Sequence, residues 1–276
     1  MAKLTGYSLP AQFANRFDHA YVASDTKKWG CFGRDAGGAF VISGDGDESC
    51  ADCLSQPNST AGIVYFVTGV CHQAANRILW PSGVVVAAVR GYGWSSFMFN
   101  TYGKGTWPQL RHCGNLMSSL GTPPPSQRGS SVPLKGFRLF KRIADILTSV
   151  HESEAADPNP QDEFYALAEV QLGSDYDPRK LEAVAAVQQT LQARQRALAV
   201  QLQKREMLPE RYFDLMTELQ HDAAVKAESI LGRVDFERLF GVSATAAPSL
   251  ADREIFLAQH ASTAAAQSPN IRRTAS

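Results

Sequence analysis

Three features of the sequence predict an α+β fold. Residues 1–120 carry all five cysteines and all four tryptophans and alternate short apolar segments with glycine-rich turns, the texture of strands and tight connections. Residues 135–261 are instead patterned at intervals of three and four, the signature of amphipathic helices. Between them, residues 121–134 run GTPPPSQRGSSVPL, a Pro- and Ser-rich connector that favours an extended chain. A tail from residue 262 onward is small and polar and is expected to be disordered.

In chain order, strand-like apolar segments fall at residues 20–23, 39–42, 63–67 and 84–89. Residues 63–79, IVYFVTGVCHQAANRIL, form the pivot. Ile63 to Val67 reads as a buried strand, and Thr68-Gly69 breaks it. From Cys71 the apolar positions Ala74, Ala75, Ile78 and Leu79 recur at helical spacing until Pro81. Beyond the connector, Leu139, Ile143, Ile146, Leu147 and Val150 make one amphipathic stripe, and residues 161–172 a short helix. Asp177-Pro178 reads as an N-cap followed by proline at the first helical position. The long helix it opens carries Leu181, Val184, Val187, Leu191, Leu198 and Leu202 on one face. Pro209 starts its antiparallel partner, which Gly232 stops, and a last short helix at residues 235–240 ends at Gly241. The C-terminal half is thus a helical hairpin with satellites, a scaffold or a surface for a second copy or a protein partner.

Hydrophobic residues make up 44% of the 276 and charged residues 20%, ordinary for a globular chain. A net charge of zero offers no general attraction to nucleic acid or anionic lipid. No apolar run approaches the roughly 20 residues a membrane span needs. The opening MAKLTGYSLPAQF lacks the apolar core of a signal peptide. An odd cysteine count argues against a full disulfide framework, so a reducing, cytoplasmic setting is expected, with an uncleaved export route as the alternative. Nothing in the composition calls for a cofactor.

Cys71 is the leading chemical candidate. At the first turn of a helix, unpaired N–H groups and the helix dipole favour a thiolate. The structural alternative is a cysteine packed as a small hydrophobe. A nucleophilic thiol needs a base. His72 is adjacent in sequence, and consecutive helical positions diverge by about 100°, so it reads as a packing or capping residue. His112 follows the cysteine, in the order of unpermuted papain-like and transglutaminase-like enzymes, but without a strand around it. His19, in Asp18-His19-Ala20-Tyr21-Val22, sits on a plausible strand opening and is the preferred base.

The segments FDHAYV and GVCHQAANRIL give an early strand histidine followed by a cysteine at a helix start. Over residues 15–100 this order resembles the circularly permuted NlpC-type papain-like superfamily, which includes the lecithin-retinol acyltransferase-like proteins. The resemblance implies a papain-like antiparallel sheet bearing the cysteine helix. It also implies a thiol peptidase, amidase or acyltransferase, with Cys71 attacking a carbonyl and His19 as base. A third polar residue that orients the imidazole is expected on a neighbouring strand, where this sequence offers Gly30 and Cys31. Asp35 and Asp45 are near only in sequence. The backbone N–H of Cys71 is the candidate oxyanion donor.

The alternative is non-enzymatic. Cys50-Ala51-Asp52-Cys53 is a CxxC pair in a polar loop, and with Cys31 and Cys71-His72 it could close a zinc site supporting a helical interaction arm. The aromatic, glycine-rich stretch at residues 90–105 lacks the phosphate-loop pattern and suits either a substrate wall or ordinary turns. Asp45-Gly46-Asp47-Glu48 lacks EF-hand spacing and reads as a solvated acidic turn. Arg138, Lys141 and Arg142 form a polar helix edge.

Overall fold

The computed structural model describes residues 2–10, 17–30, 35–55, 61–101, 160–173 and 176–266. Cys31, His112, Cys113, the connector, the stripe from Leu139 to Val150 with its basic edge, and residues 267–276 lie outside the described residues. The fold is α+β. Strands β1 (Ala2–Pro10), β2 (Asp18–Ala23), β3 (Lys28–Trp29) and β4 (Ala39–Gly46) form one antiparallel sheet in the order β3-β2-β1-β4. The segments at residues 20–23 and 39–42 are strands as expected. Central strand β1 had no clear signal, because Gly6 interrupts its pattern. A Cβ on Gly6 would lie 2.8 Å from Val86 Cγ1 and 3.3 Å from Leu79 Cδ1, so the glycine admits the layer above the sheet.

That layer is helical. Helix α1 (Glu48–Ser55) is followed by α2 (Cys71–Ile78), a 3-10 turn at Trp80–Ser82, and α3 (Tyr92–Phe99). Ala74, Ala75, Ile78 and Leu79 pack with Leu4, Ala20 and Val22 of the sheet in one buried cluster. Two alanines at the contact let helix and sheet approach closely, and the apolar burial holds them together.

Four local expectations change. Residues 63–67 are not a strand but a tight turn: Phe66 N–H donates to Gly69 O at 2.8 Å and Thr68 N–H to Val64 O at 2.9 Å. Phe66 adopts φ 61°, unusual for a bulky residue. Residues 84–89 are irregular because the Val86 N–H bonds the Asn76 side chain at 2.8 Å, not a strand neighbour. The CxxC pair lies on α1, which Asp47 caps by accepting from Ser49 N–H at 2.8 Å. Much of the glycine-aromatic stretch is α3, opened by Gly91 at φ 85°.

Beyond the connector come α4 (Pro160–Leu172), α5 (Pro178–Gln203), α6 (Pro209–Leu231), α7 (Arg233–Phe240), a 3-10 turn at Ala247–Ser249, and α8 (Arg253–Ala266). The local signals for these helices hold. Asp177 caps α5, accepting from Arg179 N–H at 3.0 Å, with Pro178 first in the helix. Pro209 opens α6, Gly232 ends it, and Gly241 ends α7. One hydrophobic cluster draws on both sides of the connector, joining Phe17, Phe66, Trp94 and Phe97 to Phe164, Tyr212, Phe236 and Phe240.

Candidate functional site

Cys71 is the first residue of α2, after Val70 in extended conformation. The first intrahelical bond runs from Ala74 N–H to Val70 O at 3.2 Å. The amides of Cys71, His72 and Gln73 therefore have no partner within the helix. Gln73 closes this end by accepting the Val70 N–H on Oε1 at 3.0 Å. The sequence places the helix start here because the preceding turn ends at Gly69, where a Cβ would sit 2.9 Å from Gln73 Cβ.

Cys71 and His19 are both half-buried. The structure brings them together, with the His19 imidazole in hydrogen-bonding contact with Sγ. Burial alone pushes the thiol up. The His19 charge and hydrogen bond, with the backbone N–H groups of Ala20 and His72 directed at the sulfur, outweigh burial and hold the thiol below its ordinary range. His19 stands on β2 opposite Leu9 of β1, two strand positions from the Tyr21 ring that stacks on Tyr7. The start of β2 is anchored several times. Asp18 N–H donates to Arg90 O at 3.1 Å, and the Asp18 carboxylate accepts from Ser8 Oγ at 3.1 Å. Its other oxygen lies 3.1 Å from Arg90 Nη2, an ion pair not aligned as a hydrogen bond.

His72 is a fully enclosed packing residue, only 1% exposed. Its Nε2 lies 2.8 Å from the Asp18 carbonyl oxygen and its Nδ1 2.8 Å from Ser95 Oγ. Burial, opposed by the Asp18 carbonyl bond, lowers its pKa to about 4, so the ring is neutral at neutral pH. A carbonyl can only accept, which puts the proton on Nε2 and leaves Nδ1 an acceptor facing Ser95 Oγ, whose one proton is shared with the Tyr92 carbonyl at 3.0 Å. Ser95 Oγ in turn accepts from Gln73 Nε2 at 3.2 Å.

Tyr65 borders the site from the turn before α2. It is buried, close enough for the Cys71 charge to add to burial in raising its pKa, and its hydroxyl accepts the Asp252 N–H at 2.9 Å. The sequence pattern singled out neither Tyr65 nor Ser95. Each reads as an ordinary apolar-segment or turn residue until the chain is folded.

Asp35 and Asp45 are exposed. Asp45 pairs with Lys3 at the end of β1 remote from Leu9, about 20 Å from His19 at the rise of a strand. On α1, Cys50 is buried and Cys53 exposed. Among the described residues no group of three or more His, Cys, Asp and Glu side chains is arranged to hold a metal ion. Asp47 and Glu48 are engaged in capping α1 and in accepting the Thr26 hydroxyl.

No family model matches the chain, and neither do curated proteins or solved structures. The site is defined by its own chemistry: a thiol with a depressed pKa at a helix N-terminus, touching an imidazole. No helix among the described residues is long and apolar enough to cross a membrane.

Proposed function

We propose that this protein is a cysteine-dependent hydrolase or acyltransferase acting on an amide, peptide or acyl bond, with Cys71 as nucleophile and His19 as base. The observation that carries the reading is the contact of the His19 imidazole with the Cys71 sulfur at the start of α2. Imidazole takes the thiol proton, and the thiolate attacks the substrate carbonyl carbon, forming a C–S bond while the π pair moves to oxygen. The Cys71 backbone N–H, unpaired within the helix, is placed to receive that oxyanion. Collapse breaks the bond to the leaving amine or alcohol, which takes the proton from His19. Water, or an acceptor amine or alcohol, then gives its proton to His19 and attacks the thioester, releasing the product and the Cys71 thiolate.

A thiol nucleophile works only while it stays reduced, which suits a cytoplasmic setting. The exposed faces of α5 and α6 offer a surface for a second copy or a protein partner.

Iodoacetamide titration of the native protein, with mass-spectrometric assignment, tests the reading. Cys71 is expected to label first, with an acidic apparent pKa. An electrophilic acyl probe should modify it too. Cys71→Ser should abolish that labelling, and His19→Ala should slow it by about 100-fold or more, a general-base contribution, both with an unchanged circular dichroism spectrum. A Cys71 that resists alkylation until the protein is denatured overturns the proposal.

A further inference from the structure

We propose that His72 is a positioning residue, whose imidazole ties the backbone beside the nucleophile to the backbone beside the base and so sets the distance between Cys71 and His19. The inference rests on the Cys71–His19 reading above and adds to it a residue that touches neither substrate nor reacting atoms.

The geometry is specific. His72 follows Cys71 directly, and its own N–H is one of the amides directed at Sγ. Its side chain returns across 54 residues to the Asp18 carbonyl, at 2.8 Å. That carbonyl belongs to the Asp18–His19 peptide group, from which the base hangs. The ladder to β1 places β2 within the sheet, whereas the His72 bond sets the spacing between β2 and α2 at the end where the site lies. Ser95, on α3, completes the clamp. The Asp18 carbonyl, which can only accept, holds the ring proton on Nε2, while Ser95 Oγ seats Nδ1 at 2.8 Å and shares its one proton between that nitrogen and the Tyr92 carbonyl at 3.0 Å. Ser95 is itself fully buried and receives Gln73 Nε2, so the ring cannot flip without stranding several buried polar groups. A neutral His72 also leaves His19 as the imidazole that carries charge beside the sulfur.

The pH dependence of Cys71 alkylation measures this directly, because a residue that only filled space would alter access to the sulfur at every pH. Loss of the clamp lets His19 move away and returns the thiol toward the ordinary value of about 8.5. In His72→Ala the rate at pH 6.5 should fall by about tenfold for each unit by which the apparent pKa rises above that pH. Above the thiol pKa, at the alkaline end of the titration, the variant and the original protein should react at similar rates. His72→Gln, whose amide N–H can reach the Asp18 carbonyl, should recover most of the acidic limb. Ser95→Ala removes one oxygen from the clamp and should move the profile the same way by a smaller amount. It therefore decides the question if His72→Ala does not fold. Folded His72→Ala, or folded Ser95→Ala where the former is lost, with the original pH profile overturns the inference. If Cys71 of the unaltered protein already titrates as an ordinary thiol, the catalytic reading fails and this one falls with it; a depressed original with unmoved variants sinks this inference alone.

Discussion

A neutral imidazole enclosed at His72 makes stability depend on pH. Its ordinary pKa is 6.5, and burial lowers it to about 4 in the folded chain. Between those values the unfolded chain binds a proton that the folded chain refuses. Stability is therefore full above pH 6.5 and falls as pH drops through 6.5 toward 4, by about 3 kcal/mol in total. His260, lowered by its own burial, adds to the same trend. Urea midpoints at pH 7.5 and 4.5 should differ accordingly, and His72→Gln should narrow the gap. An undiminished gap in that variant would show that His72 is not the group responsible.

Among the elements, the turn before α2 and the helix after it are held from opposite directions. Phe66 takes the strained φ of 61° and is buried against Phe213, with ring centroids 4.9 Å apart, while its carbonyl accepts the Tyr212 hydroxyl at 3.3 Å. The residue that looked like the end of a strand is thus a plug into the C-terminal helices. Phe66→Ala should cost about 3–5 kcal/mol by thermal or urea unfolding, the usual penalty for emptying an aromatic site. Close approach governs α3 and α7. A Cβ on Gly93 would stand 2.6 Å from the Leu239 carbonyl oxygen, which cannot swing aside as a flexible side chain can. Gly93→Ala is expected to destabilise by about 1–3 kcal/mol, read as a lowered Tm. At the start of α5, Asp177→Ala removes a side-chain cap and should cost about 1 kcal/mol in the same measurement.

At the scale of the whole molecule, the two textures of the sequence share one core. Trp94 is fully buried, donates from Nε1 to the Ala247 carbonyl at 3.1 Å, and packs on Phe236 and Phe240. Gln188 of α5 caps the far end of α3, donating to the Phe97 carbonyl at 2.8 Å. Neither half can melt without exposing the other's aromatic surface, so unfolding should be a single transition. Tryptophan fluorescence, all from residues 1–120, and far-UV circular dichroism, dominated by the helices, should give coincident curves. Two separated transitions would contradict the shared core.

Local chemistry made much of this protein legible from its sequence. The α+β class, the helix opening at Cys71, the Asp177-Pro178 start, the Pro209 start and the stops at Gly232 and Gly241 all rest on dihedral preferences and end effects within a few residues. The pairing of Cys71 with a histidine was readable as chemistry, because a thiol nucleophile requires a base, and the choice among three histidines rested on the divergence of consecutive helical positions, which set His72 aside, and on the strand-like setting of His19, which His112 lacks. The fold alone decided that Ile63 to Val67 turns instead of extending, that α3 forms where glycines and aromatics suggested loops, and that His72 bridges to Asp18 and Ser95. Those outcomes depend on which buried N–H, carbonyl or ring finds a partner tens of residues away. An apolar pattern says that a side chain will be buried, whereas a polar group inside the core is fixed by the partner that satisfies it, and that partner is a property of the assembled structure.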